Sequence, residues 1–422
     1  MSFRIRRRSA TLAPLTAALL APLVLAAQST TRPVLPPSRA VVDSTDPVAL
    51  MVGRLDLERY KATIKGLTQF GDRRQGTARN RAALDWIEAQ LTSYGCTTTE
   101  RLTYTYTSGT PRMAAPAAAD RPVVPRPPAG LTTQGGGRPR GVRTRTGVNS
   151  DSLAQPDARL RALNAEPSVD GERQQVWCTK VGTTRPDEMY IVGAHMDGIG
   201  WGEGANDDGS GTALVMELAR VFSSPDVQTE RSIRFILFNN EETGLNGARA
   251  YVEQRQARQG VEEPRGSGRY PEPRWLGMIQ HDMMLFDHGP PRPDGTMSPV
   301  QRPEADVNIE FQSASKQAKA SAELAWLFHQ ANEKYATDYP AQVGPHMTNT
   351  DSGPFQDLVP AISLRENERG IHTGSGWNPH WHQPSDRYDT FSDADFRLGL
   401  NAAQTTLGAV GRLVGASLKK AP

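Results

Sequence analysis

The sequence lacks an excess of charge of either sign. It contains 48 lysines and arginines and 46 acidic residues, for a net charge of +2. Nothing in this balance indicates a polyanionic partner such as nucleic acid. Beyond its first residues the chain also lacks an apolar run of the roughly 20 residues needed to span a bilayer. We therefore expect no nucleic-acid partner and no stable membrane anchor.

The chain has only two cysteines, Cys96 and Cys178. Each lies in a stretch predicted to be a strand. In an oxidising compartment such a pair could form a disulfide, but two buried free thiols also fit these stretches. The residues alone leave both alternatives open.

The N-terminus has the pattern of a secretory signal peptide. Arginines at positions 4 and 6–8 precede an apolar stretch, residues 12–25, which is followed by two alanines at positions 26 and 27. Pro14 and Pro22 interrupt the stretch, which is shorter than a spanning helix needs. Since no cysteine lies near residue 27, lipid attachment there is not expected. The pattern predicts a signal peptide over residues 1–27 and a secreted or periplasmic protein, with the export route open.

Two biased stretches frame the predicted domain. Residues 28–46 are rich in Pro, Ser and Thr, which is typical of a disordered linker. Residues from about 108 to 149 carry Pro, Gly, Ala and Arg without a core pattern, and we expect a long surface excursion between two strands. Residues 47–422 then form one domain that includes this excursion. The oligomeric state is left open.

The spacing of apolar residues indicates an α/β fold. Helical spacing predicts two helices between Arg54 and Tyr94. Further along, strands are predicted at 188–198, 231–242, 275–283 and 360–366, and helices at 211–222, 313–335 and 393–418. Such alternation predicts a mostly parallel, mixed central sheet sandwiched between helices.

Acidic and histidine residues follow the ends of these strands. They are His195 and Asp197, Asp207 and Asp208, Glu241 and Glu242, and Asp282. Ligands of such sheets bind beyond the carboxyl ends of the strands. A buried charge there is costly unless it is paired or bound to metal. Imidazole and carboxylate together suit zinc, and a bridging carboxylate allows two ions about 3.5 to 4 Å apart.

Five motifs occur in order along the chain: GAHMDG, GANDDGSGTA, NNEETGLNGA, QHDMM and HWHQPSD. Together they resemble the motifs of the co-catalytic zinc aminopeptidases, the twenty-eighth metallopeptidase family, over about Leu55 to Leu418. Five ordered motifs are far more specific than any one of them. The resemblance implies a zinc-peptidase domain with the phosphorylase/hydrolase-like fold. It also implies cleavage of the N-terminal peptide bond of peptides that have a free N-terminus.

The resemblance also implies two zinc ions per chain and assigns their ligands. His195 and Asp282 would bind the first ion, and Glu242 and His382 would bind the second. Asp207 would bridge both. A water bridged between the two ions would attack the peptide bond.

Two further residues receive roles from the same resemblance. Glu241 would be the general base for the attacking water. Asp197 would accept a hydrogen bond from the second ring nitrogen of His195 and fix its tautomer. A free ammonium group would be attracted to Glu241 and Asp282. Asp287 is the rival of Asp282, but only Asp282 ends the apolar strand.

The sequence pattern assigns the C-terminal histidine ligand less specifically than it assigns the other four ligands. His382 is chosen over His380 because the residues that follow it match the family pattern. Some relatives have a tyrosine before this histidine, where this chain has Trp381, whose indole N–H could donate instead. Many relatives have a histidine where this chain has Ser352.

Other functions remain as alternatives. A carboxypeptidase would need a cationic clamp, for which Arg365 and Arg369 are candidates, although Glu366 and Glu368 lie beside them. A glutaminyl cyclase would use a single zinc and no complete second ligand set. A non-catalytic binding module would have lost its metals. All five ligand positions and the base are present, which favours the aminopeptidase.

Overall fold

The computed structural model describes residues 43–96, 98–109, 148–286, 307–345, 347, 349–366 and 378–419. The predicted signal peptide, most of the linker and most of the excursion lie outside these ranges. Within them, no helix is long and apolar enough to cross a membrane. The described ranges all belong to one compact unit of the chain, residues 36–422.

Helices and strands alternate along the described chain. The helices are α1 (Pro47–Val52), α2 (Leu57–Thr68), α3 (Ala78–Ser93), α4 (Ala158–Asn164), α5 (Gly209–Phe222), α6 (Asn246–Arg255), α7 (Ala318–Tyr335) and α8 (Asp393–Leu413). The strands are β1 (Thr99–Tyr106), β2 (Gly171–Lys180), β3 (Arg185–His195), β4 (Val227–Gln228), β5 (Arg231–Phe238), β6 (Arg274–His281), β7 (Val307–Phe311), β8 (Ala341–Gly344), β9 (Ala361–Arg365) and β10 (Ser417–Leu418).

Eight of these strands form one sheet in the order β1-β2-β5-β3-β6-β9-β7-β8. The four central strands, β5, β3, β6 and β9, run parallel. At one side β2 pairs antiparallel with β5, and at the other β7 pairs antiparallel with β9. The predicted α/β fold with a mostly parallel mixed sheet is confirmed.

Both faces of the sheet are buried, as its apolar strands require. In β5, Phe235 and Leu237 pack into one core, and the alternating Ile236 and Phe238 pack into the other. The first core contains α5, of which every residue except Arg220 is buried. The second core lies against α6. The carboxyl ends of the parallel strands therefore meet at one edge of a rigid layer.

Some elements were not predicted from the sequence. Strands β7 and β8 are only five and four residues long, too short for a clear period. Helix α6 buries only four of its ten residues, so its apolar pattern is weak. The last helix ends at Leu413 instead of Leu418, because Gly415 adopts a positive φ of 64° and the chain continues into β10.

Cys96 and Cys178 form a disulfide, with their Cα atoms 6.0 Å apart. Cys178 lies in β2, as predicted, whereas Cys96 lies in the turn between α3 and β1. The bond ties the end of α3 to the sheet. Of the two alternatives that the sequence left open, the structure contains the disulfide.

Candidate metal centre

The predicted ligands reach one edge of the sheet from different elements. His195 is the last residue of β3, and Asp282 directly follows β6. Asp207 lies in the loop between β3 and α5, and Glu242 in the loop after β5. His382 comes from the loop before α8. Because β3, β5 and β6 are parallel neighbours, their carboxyl ends bring the first four side chains together.

The carboxylate of Asp207 lies between the two histidines. Its Oδ1 is 3.3 Å from Nε2 of His195, and its Oδ2 is 3.0 Å from Nε2 of His382. Each oxygen thus faces a different imidazole. This is the arrangement that a carboxylate bridging two cations requires.

Each histidine has a second carboxylate beside it. Asp282 Oδ1 lies 3.8 Å from Nε2 of His195, and Glu242 Oε2 lies 2.8 Å from Nε2 of His382. The five side chains form two half-sites that share Asp207. The half-site of His195 and Asp282 is called the β3–β6 half-site below, and that of His382 and Glu242 the β5–loop half-site.

Asp208 is also close to His195, at 4.0 Å. The described residues offer two groups of potential metal ligands, one of His195, Asp207 and Glu242 and one of His195, Asp208 and Asp282. The oxygens of Asp208, however, already accept backbone hydrogen bonds. Oδ2 accepts from the N–H of His195 at 3.1 Å, and Oδ1 accepts from Gly211 at 2.9 Å and Met283 at 3.2 Å. Asp208 therefore caps α5 and joins the ligand-bearing segments, which makes it a poor ligand and a poor base.

The donor set fits a divalent cation. The side chains of His195, Asp207, Glu242 and Asp282 are at most 6% exposed, and that of His382 is 11% exposed. Glu242 Oε1 is buried without a hydrogen-bond partner in the described structure. A buried carboxylate oxygen without a partner is costly, and a bound cation would remove that cost. Two imidazoles with three carboxylates suit zinc.

The electrostatics of the two histidines point the same way. Burial by itself lowers the pKa of His382, but Glu242 and Asp207 outweigh it and raise that pKa to about 11. Burial likewise opposes protonation of His195, yet Asp208, Asp207 and Asp282 raise its pKa well above the usual value. The carboxylates around both imidazoles thus favour a positive charge between them, which a bound cation would supply.

Glu241, the predicted base, is buried beside the ligands. Burial raises the pKa of its carboxyl well above the ordinary value. Among the described residues, no hydrogen bond or ion pair engages its carboxylate. Asn240 adopts a positive φ of 63°, which breaks the alternation of β5 just before Glu241 and Glu242. The backbone N–H groups of Gly244 and Leu245 both donate to the Glu241 carbonyl, closing the turn.

The expectation for Asp197 is corrected in one respect. Nδ1 of His195 lies 2.9 Å from the backbone carbonyl oxygen of Asp197 and 3.9 Å from its carboxylate. The carbonyl, and not the side chain, therefore fixes the tautomer. The Asp197 carboxylate instead accepts the backbone N–H of Glu241 at 3.1 Å. It positions the predicted base.

The structure separates the two rival histidines. His380 contacts Ser385 Oγ at 2.8 Å through Nδ1, and its ring packs edge-on against Phe286 and Phe391. His382 is the one that reaches the carboxylates. Trp381 stacks on its ring, with centroids 4.0 Å apart. Asp287, the rival of Asp282, lies outside the described residues.

Sequence reasoning missed three residues that hold this centre. Asp386, in the quoted HWHQPSD motif, accepts the backbone N–H groups of Asn206 and Asp207. Arg73 donates to three carbonyls of the Asp207 loop, those of Met196, Glu203 and Gly204, each at 2.7 Å. The motif was a signal for Asp386, whereas no local pattern singled out Arg73.

The third residue is Arg365, which the sequence suggested as a clamp for a substrate carboxylate. The structure overturns that role, because Arg365 is buried and its Nη2 lies 2.5 Å from Oδ2 of Asp282. Arg369, the other candidate, lies outside the described residues. Ser352, a departure from the family pattern, lies 2.8 Å from Ser363 Oγ in the interior.

The profile of peptidase family M28 matches residues 176–404, more than half of the chain. Aminopeptidase YwaD of Bacillus subtilis is 47% identical over 68 residues, which are 16% of this chain and 14% of that protein. The chain thus aligns with only a small part of this curated relative's length.

Solved structures show the same fold. BSAP, a zinc aminopeptidase from Bacillus subtilis, superposes with a TM-score of 0.55 at 16% identity, over 87% of this chain and 97% of that one. A glutaminyl cyclase from Porphyromonas gingivalis superposes with a TM-score of 0.51 at 15% identity, over 85% and 99% of the two chains. At these identities the likeness establishes the fold alone.

Proposed function

Because this chain belongs to peptidase family M28, we propose that it is a zinc-dependent aminopeptidase that removes N-terminal residues from peptides. The observation that carries the proposal is the position of Asp207, whose two oxygens face two different histidines. A single-metal site would not need a shared carboxylate. The neighbouring Asp282 and Glu242 complete one half-site each.

The five side chains would hold two zinc ions, with Asp207 common to both. Bound zinc would polarise the substrate carbonyl and make a water nucleophilic at neutral pH. The rest of the chemistry falls to the chain. Glu241 is the acid next to the ligands whose carboxylate is not engaged by the described residues, so it can take a proton from the attacking water. It can then return that proton to the leaving amine.

A substrate with a free N-terminus has an acidic partner beside the ligands. The carboxylate of Glu241 is buried there and is not engaged by the described residues, so a substrate ammonium group can pair with it. A carboxypeptidase would need a free cation for the terminal carboxylate. Arg365 is occupied by Asp282 and buried, so it does not serve that need. Within the described residues, the geometry thus supports the aminopeptidase over the carboxypeptidase.

The test is an assay on aminoacyl anilides beside their N-acetylated copies, with and without a chelator. We expect cleavage of the free amines, little cleavage of the acetylated copies, and loss of activity with chelator. One charged contact of about 1.5 to 3 kcal/mol gives roughly a ten- to hundredfold preference before steric exclusion is counted. Equal cleavage of both sets would refute the aminopeptidase. A stoichiometry of one zinc with full activity would refute the bridged two-zinc site and favour a single-zinc site like that of the cyclase alternative.

We also propose that the protein is exported. The arginine-rich and apolar N-terminal residues have the pattern of a signal peptide, and the Cys96–Cys178 disulfide is of a kind that persists in oxidising compartments. Mass spectrometry of protein secreted by its own host tests this. Export predicts a mature chain that begins near residue 28, whereas an intact N-terminus on cytoplasmic protein would contradict it.

A further inference from the structure

The carboxylate of Asp282 is divided between two partners. Its Oδ1 faces Nε2 of His195 at 3.8 Å, and its Oδ2 lies 2.5 Å from Nη2 of Arg365. Both Asp282 and Arg365 have side chains that are 4% exposed. Solvent therefore screens this contact little.

Arg365 has a second acidic neighbour on its far side. Its Nε lies 3.9 Å from Oε2 of Glu310, whose Oε1 accepts a hydrogen bond from Asn308 Nδ2 at 2.9 Å. Glu310 is buried as well. In the β7–β9 pairing Asn308 lies opposite Arg365. A buried row of Glu310, Arg365 and Asp282 thus crosses β7, β9 and the end of β6.

The other half of the centre has no such partner. Glu242 pairs with His382 at 2.8 Å, and its Oε1 is buried without a hydrogen-bond partner among the described residues. In the described structure no arginine or lysine forms an ion pair with Glu242. The two half-sites therefore differ in the charge behind their outer carboxylates.

We propose that Arg365 is a positioning residue that makes the two half-sites unequal. It holds Oδ2 of Asp282, so that only Oδ1 faces the centre, and its charge makes the β3–β6 half-site the weaker zinc site. The inference rests on the proposed function, in which Asp282 is a zinc ligand. Glu310 moderates the effect, because its negative charge offsets part of the guanidinium charge.

Two substitutions of this row should shift zinc affinity in opposite directions. In Arg365→Gln the amide can still donate to Asp282, but the positive charge that repels a cation is gone. In Glu310→Gln the charge of Arg365 is left without its offset, and the repulsion grows. Arg365→Lys keeps the charge and serves as the conservative control. A merely structural role would move both Gln variants in the same direction.

The experiment is a competition titration with zinc alone against a fluorescent zinc chelator, on purified metal-free protein kept well below its unfolding temperature. Wild type should bind two ions with unequal Kd. The weaker step should tighten about tenfold in R365Q, because a charge that repels the cation is removed, and weaken about tenfold in E310Q, because that charge loses its offset. R365K should stay near wild type, and D282N should lose the weaker step. E253Q, on the exposed side of α6, controls for surface charge.

Two kinds of failure can be told apart. If wild type binds fewer than two zinc ions, the proposed function fails and the inference falls with it. If wild type binds two but R365Q and E310Q shift together, or neither shifts, only the inference is overturned. Should R365Q not fold, the double variant R365Q/E310Q replaces it. It should still bind the weaker ion several-fold more tightly than wild type, since Arg365 lies closer to Asp282 than Glu310 does.

Discussion

Replacing Asp386 with asparagine should loosen both zinc ions at once. Oδ1 of Asp386 accepts the N–H of Asn206 at 2.8 Å, and Oδ2 accepts that of Asp207 at 3.0 Å. The side chain is 2% exposed. An asparagine offers one oxygen, so one buried N–H loses its acceptor and faces an NH2 group. Burial raises the pKa of Asp386 to about 7, so the comparison is made at pH 8, where the carboxylate is ionised. A hydrogen bond to such a charged group contributes about 1.5 to 3 kcal/mol.

That loss corresponds to roughly a ten- to hundredfold change in the equilibrium that holds Asp207 in place. Because Asp207 faces both histidines, we expect both zinc dissociation constants of D386N to rise by about this factor. This distinguishes it from D282N, which should affect one step. The assay is the same zinc competition titration, with the melting temperature of metal-free protein measured in parallel. D389N is the matched control, since Asp389 is three residues away and its side chain is 73% exposed.

Wild-type affinity of D386N for both ions would refute this reasoning. The Asp207 loop would then be held by its other contacts alone. Those contacts include the three carbonyl bonds of Arg73 and the hydrogen bond from Asn206 Nδ2 to Glu366 at 2.7 Å.

Three other predictions concern the base, the bridge and the pH dependence of stability. Glu241→Gln should keep both zinc ions but lose about a hundred- to ten-thousandfold in kcat, and near-normal turnover would exclude it as the base. Asp207→Asn should lower zinc content at both half-sites, which metal analysis after dialysis will show. Asp46 caps α1 and accepts from Lys334 and Tyr335, at 2.6 and 2.9 Å. Burial tends to raise the pKa of Asp46, but these two bonds, together with the backbone N–H groups of Ala49 and Val48, outweigh it and lower that pKa. Its stabilisation is therefore present above the unfolded-state pKa near 4 and lost as pH falls below that. Asp46→Asn should lower the free energy of unfolding at pH 7 by up to about 1 kcal/mol. Thermal melts should show this difference from wild type at pH 7 and its disappearance in acid.

The sequence by itself determined the fold class, and its resemblance to a known family predicted five metal ligands. Each strand of the parallel core is rich in apolar residues, and a charged or histidine residue at its end is visible without any contact map. His195 and Asp282 stand out in this way. Parallel neighbours must then deliver these side chains to one edge. The geometry of Asp207 between two histidines agrees with that prediction, and the zinc assignments remain proposals.

Other features depended on contacts between residues that are far apart in the chain. Asp386 meets Asn206 across 180 positions, and Arg365 meets Asp282 across 83. From the sequence, Arg365 could bind the carboxylate of a substrate or that of Asp282. The choice depends on the register of β7 against β9 and of β9 against β6, and neither register has a local signature in the sequence. The same holds for Asp197. The spacing of Asp197 from His195 predicts a contact with the imidazole. The carboxylate and the backbone carbonyl of Asp197 lie equally close to His195 in sequence, so only the course of the loop decides that the carbonyl makes this contact.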